Sequence, residues 1–145
     1  MKIVKLAALL PGLACALGIS VAVAAPPEVD AVYSSAHALY VDLHQHPELS
    51  RHEIRTAAKL AAQLRAFGYE VTERVGATGI VAILRNGPGR TIMLRTELDA
   101  LPVEEKTGLT YASKVHAKDD AGNDVSVGHM CGHDLGGATN PTEGS

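Results

Sequence analysis

Two apolar runs near the middle of the chain limit what it can fold into. Gly79-Ile80-Val81-Ala82-Ile83-Leu84 and Thr91-Ile92-Met93-Leu94-Arg95 are separated by Asn86-Gly87-Pro88-Gly89, a run of turn formers. Short apolar stretches bounded by Gly and Pro read as strands. Both are apolar on successive residues, as expected of strands buried in a sheet that helices cover. A more polar strand, Tyr69-Glu70-Val71-Thr72, precedes them.

The covering helices lie upstream. From Pro27 to about His44, the residues Val29, Val32, Ala36, Leu39, Tyr40 and Leu43 recur at helical spacing. Pro47 ends that helix by restricting the residue before it. Ser50, with Glu53 three residues on, spells a capping box for a second helix. Its apolar stripe is Ile54, Ala57, Ala58, Ala61, Leu64 and Phe67, with Arg51, Arg55, Lys59 and Arg65 facing water, and Gly68 stops it. Two helices followed by a mixed sheet predict a layered α/β domain. Residues 104–127 are polar, with Asp119-Asp120 and Gly122-Asn123 as turn formers, and read as a long loop or irregular hairpin.

The first residues form a separate unit. Lys2 and Lys5 precede an uncharged apolar stretch that ends in Ala22-Val23-Ala24, the pattern of a secretory signal peptide cleaved after Ala24. Pro11 and Gly12 inside the stretch argue against an uncleaved membrane anchor. The mature protein is then expected to be periplasmic or secreted, without stable membrane association. Removing 24 residues leaves 121, enough for one domain with a modest core, and loss of the two lysines moves the net charge from −3 to −5. A mildly acidic chain with one Phe and no Trp gives no support to nucleic-acid binding. Cys15 leaves with the signal, so Cys131 is the single thiol of the mature chain and forms no internal disulfide. Such a thiol is exposed and reactive, buried, or metal-bound.

Chemistry concentrates in Gly128-His129-Met130-Cys131-Gly132-His133-Asp134. One glycine separates a thiolate from an imidazole, a donor pair suited to Zn²⁺ and similar divalent transition metals. Cys131 and His133 are therefore the candidate ligands, and Asp134 is a candidate acceptor for the other ring N–H of His133. Glu97 and Asp99 alternate with apolar residues where the third strand leaves the sheet, so both carboxylates point to one side. Solvated loop acids have the same pattern. His44, His46 and His52 admit either a metal reading or a polar loop between helices, and no spacing favours a dedicated site.

The order of four motifs carries a resemblance. His44-Gln45-His46-Pro47-Glu48-Leu49-Ser50, Thr78-Gly79-Ile80-Val81, Asp99-Ala100-Leu101-Pro102 and His129-Met130-Cys131-Gly132-His133-Asp134 resemble the N-terminal part of an M20-type metal-dependent amidohydrolase. The branch they resemble contains hippurate hydrolases, auxin-conjugate hydrolases and N-acyl-amino-acid amidohydrolases. The resemblance implies a zinc-peptidase-like α/β catalytic domain over residues 25–134, with a lid domain absent from this chain. It implies hydrolysis of N-acyl amino acids or small peptides at a two-metal site holding Zn, Mn or Ni. Cys131 and His133 would be metal ligands, with Asp99, Asp134 and His129 as orienting residues behind them. Glu97 stands where relatives have Asp.

After Asp134 the resemblance stops. Residues 135–145 are dense in loop formers and are expected to be an aberrant, unstructured tail in place of the family's next His and long apolar helix. The family's general-base Glu, its later metal ligands and its lid have no counterpart here. The chain is thus expected to be a truncated product, inactive alone unless an oligomer supplies the missing ligands. Two other readings stand beside it: a small exported metal-binding domain without catalysis, and an exported redox-active thiol protein.

Overall fold

A computed structural model describes residues 27–139. The expected signal segment, residues 1–24, lies outside the described residues. Helix α1 (Pro27–Gln45) leads into α2 (Ile54–Ala66), then strands β1 (Glu70–Val75) and β2 (Gly79–Ile83). Strands β3 (Val115–Lys118) and β4 (Asp124–Val127) follow, and α3 (His133–Thr139) closes the order. The chain is a mixed α/β structure with two small antiparallel sheets, β1 with β2 and β3 with β4. No described helix is long and apolar enough to cross a membrane.

Helix α1 matches its apolar spacing, burying Leu39, Leu43 and His44. Helix α2 starts later than its capping box suggests, at Ile54, and no side chain of Glu53 caps it. Instead Glu48 reaches from the preceding loop and accepts from the backbone N–H groups of Arg55 (3.0 Å) and Thr56 (2.7 Å). Glu53 is buried and takes the Thr78 hydroxyl, tying α2 to the β1–β2 turn. The buried stripe of α2 is Thr56, Ala57, Leu60 and Ala61, rotated from the one read in the sequence, so Ile54 is exposed. The two stripes share Ala57 and Ala61, and helical spacing alone does not choose between them. Arg55 and Lys59 turn towards α1 and each meets Asp42 at 2.8 Å.

The third apolar run forms no strand. Residues 91–95 join neither sheet, and Ile92, Met93 and Leu94 are 85%, 83% and 64% exposed. A strand exists only where a neighbour takes its backbone groups, and none of the described residues offers that edge. Conversely, the stretch read as loop or irregular hairpin is a regular four-pair hairpin, Val115 opposite Val127 through Lys118 opposite Asp124.

The expected unstructured tail needs correction over its first five residues. Residues 135–139 belong to α3, whose Gly137 and Ala138 are buried. A Cβ on Gly137 would stand 3.3 Å from Leu43 Cδ1 and 3.5 Å from Leu60 Cδ1. Gly137, which looks like a loop former, lets α3 press closely on α1 and α2, while Gly136 lies against Thr96. Leu39, Leu43, Leu60 and Ala138 form one apolar core, and Leu49, Ala100 and Val127 form a second.

Candidate metal centre

The second core pins three motifs together by backbone. Ala100 donates to Glu48 O at 2.8 Å, while Leu101 and Gly128 exchange N–H···O bonds at 3.1 Å in both directions. Asp99 and His129 are thereby fixed beside one another's segments. Gly132 then takes φ +76°, a left-handed turn that favours glycine, and starts α3 at His133.

That turn brings His133 onto the acids of the former strand end. Glu97, Asp99 and His133 each offer a donor atom, all within 4.8 Å of one another. His133 Nδ1 donates to Asp99, with the backbone oxygen at 2.9 Å and Oδ1 at 3.0 Å. Nε2 lies 3.0 Å from Glu97 Oε2. With Nδ1 donating to Asp99, Nε2 meets the Glu97 carboxylate either through its own proton or across a shared cation. Two electron-rich atoms at that separation need a cation or a proton between them. A ring nitrogen and two carboxylates form a donor set that suits a divalent metal, and an acid behind the opposite ring nitrogen is the usual support of a metal-binding His. The residues present therefore fit a divalent ion. An open cleft of about 320 Å³ borders Glu97 and Asp99, with Glu53, Thr78 and Arg95 on its other walls.

The other sequence-derived site residues fall differently. Cys131 is exposed and is not among the three converging donors. Asp134 does not receive His133. Its Oδ2 lies 2.6 Å from Nδ1 of His44, because the next residue of the helix points about 100° away, towards α1. His129 is 7% exposed and both its ring nitrogens lack a partner. Burial holds it below its ordinary pKa, with the nearby His44 and His133 acting the same way against Asp134 and Asp99.

Sequence reasoning finds no dedicated site for His44 and does not single out Glu105. His44 Nε2 lies 3.1 Å from Glu105 Oε1, so the ring is gripped on both nitrogens by carboxylates whose side chains are 4% (Asp134) and 1% (Glu105) exposed. Tyr40 and Tyr111 pack on the ring, each with centroids 5.5 Å away. Burial opposes the charge on His44, but the two carboxylates outweigh it and hold its pKa above the ordinary 6.5. A signal existed: His44 follows Leu43 on the buried face of α1, where an imidazole has to find partners.

Comparison with known proteins gives the family. No family model matches the chain. It is 38% identical over 109 residues to a hippurate hydrolase of Campylobacter jejuni, covering 74% of this chain and 26% of the relative. It is 44% identical over 104 residues to thermostable carboxypeptidase 1 of Saccharolobus solfataricus, covering 66% and 24%. Among solved structures it matches the YXEP protein of Bacillus subtilis, described as a dinuclear metal binding peptidase of the M20 family. That match has a TM-score of 0.65 and 33% identity, covering 77% of this chain and 29% of that one. The chain belongs to the M20-type metal-dependent amidohydrolases and peptidases. It spans about a quarter of the length of the curated relatives it matches.

Proposed function

We propose that this chain supplies the first metal-holding residues of an exported amide hydrolase acting on N-acyl amino acids or small peptides. The carrying observation is the convergence of Glu97, Asp99 and His133 within 4.8 Å. His133 and Glu97 would hold the ion and Asp99 would orient His133. Cys131, one left-handed glycine away, is the thiolate the ion would recruit. The bound metal, Zn, Mn or Ni, would polarise the amide carbonyl and activate water. The chain's own part is to present the donors and an open cleft beside them. Relatives named for hippurate and N-acyl-L-amino acid hydrolysis support the substrate class. The basic start, apolar stretch and Ala22-Val23-Ala24 support export.

By itself the 145-residue chain is expected to bind metal without turnover. Hydrolysis requires a carboxylate free to shuttle the proton, and the two acids that converge here are both turned onto His133. The test is a Co²⁺ titration alongside hippurate hydrolysis with Zn²⁺, Mn²⁺ and Ni²⁺. Saturable Co²⁺ binding that Glu97→Gln weakens supports the reading. Absence of binding overturns it. Metal-dependent turnover lost in His133→Ala overturns the expectation of inactivity. Mass spectrometry of exported protein should give an N-terminus at Ala25, and intact Met1 in all fractions would remove the export assignment.

A further inference from the structure

The strongest unexplained feature is the buried charged cluster beside the metal loop. His44 Nδ1 is 2.6 Å from Asp134 and Nε2 is 3.1 Å from Glu105, partners 90 and 61 residues away in sequence. An ionised carboxylate only accepts, so both ring nitrogens donate and the ring carries a positive charge. Glu105 is anchored in turn by the Ser113 N–H at 2.6 Å and by the Thr107 hydroxyl. His44 thus joins the first turn of α3 to the loop before β3.

The need for such a joint lies in α3. A seven-residue helix is too short to hold itself in water. Its far end is held by Gly137 and Ala138 against Leu43 and Leu60. At its near end Gly132 gives the chain a swivel, which His133 stops on one side through Asp99 and Asp134 stops on the other through His44. We propose that His44, clamped between Asp134 and Glu105, is a positioning residue that holds the first turn of α3 so that His133 keeps Nδ1 on Asp99 and turns Nε2 towards the metal. The clamp extends the metal-hydrolase reading by naming what aims its histidine, and rests on that reading only for the identity of what Nε2 meets.

The test uses the full ¹⁵N-labelled chain, free of metal, with its imidazole protons observed directly by NMR. In the parent protein, His44 should show protons on both ring nitrogens. His133 should show a slowly exchanging Nδ1 proton, the mark of its bond to Asp99. Asp134→Asn and His44→Gln should leave the sheets folded but abolish the protection of that His133 proton. They should also lower Co²⁺ affinity by about 10- to 100-fold, the usual effect of losing an orienting partner. Glu105→Gln, which leaves α3 itself unaltered, should loosen His133 in the same direction. Leu39→Val, a core change outside the clamp, should lower Tm yet keep both the protected proton and the affinity. A His133 proton that stays protected in the folded clamp variants, or that Leu39→Val removes equally, overturns the proposal. A parent chain that binds no Co²⁺ sinks the metal reading, while the proton-exchange comparison still decides the clamp.

Discussion

Glu97 Oε2 stands 3.0 Å from Nε2 of His133, although the opposite ring nitrogen already gives its proton to Asp99. A proton on Nε2 or a bound cation satisfies those two atoms, and a metal that binds there takes the proton's place. Glu97→Gln should therefore weaken Co²⁺ or Zn²⁺ binding by about tenfold or more, read by competition with a chromophoric chelator. The Co²⁺ complex of the parent should show a thiolate charge-transfer band that Cys131→Ser removes. Persistence of the band in that variant would take Cys131 out of the centre.

The clamp has a pH signature. His44 is raised above 6.5, so its contribution is complete below 6.5 and is lost as pH climbs through the folded value. Burial pushes Glu105 upwards, but hydrogen bonds from Thr107, His44 and the Ser113 N–H outweigh it. Its pKa falls below 4.5, and its contribution is lost only as pH drops through that lowered value. Thermal unfolding in chelator should show the greatest clamp contribution between pH 4.5 and 6.5. The decline above that window should be missing in His44→Gln.

Helix α2 is capped from a distance. Glu48→Ala removes the acceptor for two N–H groups and should cost about 1–2 kcal/mol in urea unfolding. Ser50→Ala should stay within about 0.5 kcal/mol. Equal effects would mean that the Glu48 cap is not formed in solution.

Close packing of α3 makes Gly137 intolerant of a side chain. Leu43, 1% exposed, has no room to retreat from a Cβ 3.3 Å away. Gly137→Val should destabilise by about 1–3 kcal/mol. Retained stability would indicate that α3 does not rest on α1.

The exposed run at Ile92, Met93 and Leu94 is an aggregation hazard with no stabilising role among the described residues. Ile92→Thr with Leu94→Thr should raise solubility by light scattering and change unfolding free energy by about 0.5 kcal/mol at most. A large loss of stability would show that the run is covered.

Local pattern explains which parts were legible in the sequence. Helix α1, the first hairpin and the Cys131-Gly132-His133 loop follow from spacing within a few residues. The burial expected of Val81, Ile83, Ile92 and Leu94 does not hold, because they are 45%, 48%, 85% and 64% exposed and an apolar run is buried only where other described residues cover it. The α2 start departs from its capping box because the acceptor lies outside it, in Glu48, and α3 is not legible because Gly136 faces Thr96 and Gly137 packs against α1 and α2. Glu97 and Asp99 do converge with His133, although the alternation alone fits solvated loop acids equally well and the strand it implies does not form. The His44 clamp is out of reach of the sequence because its partners lie 61 and 90 residues away, and no local pattern links them.

The span from His44 to Asp134 also orders events in folding. Helix α1, α2 and the first hairpin rest on contacts nearer in sequence than His44 and Asp134, and local elements form first. Throughout that interval His44 lies on an apolar helix face without its second carboxylate, and the face stays hydrated. Closure comes only when α3 docks and the ion pair is complete. A chain in which that ion pair has not closed therefore keeps the open side of its first helix in water.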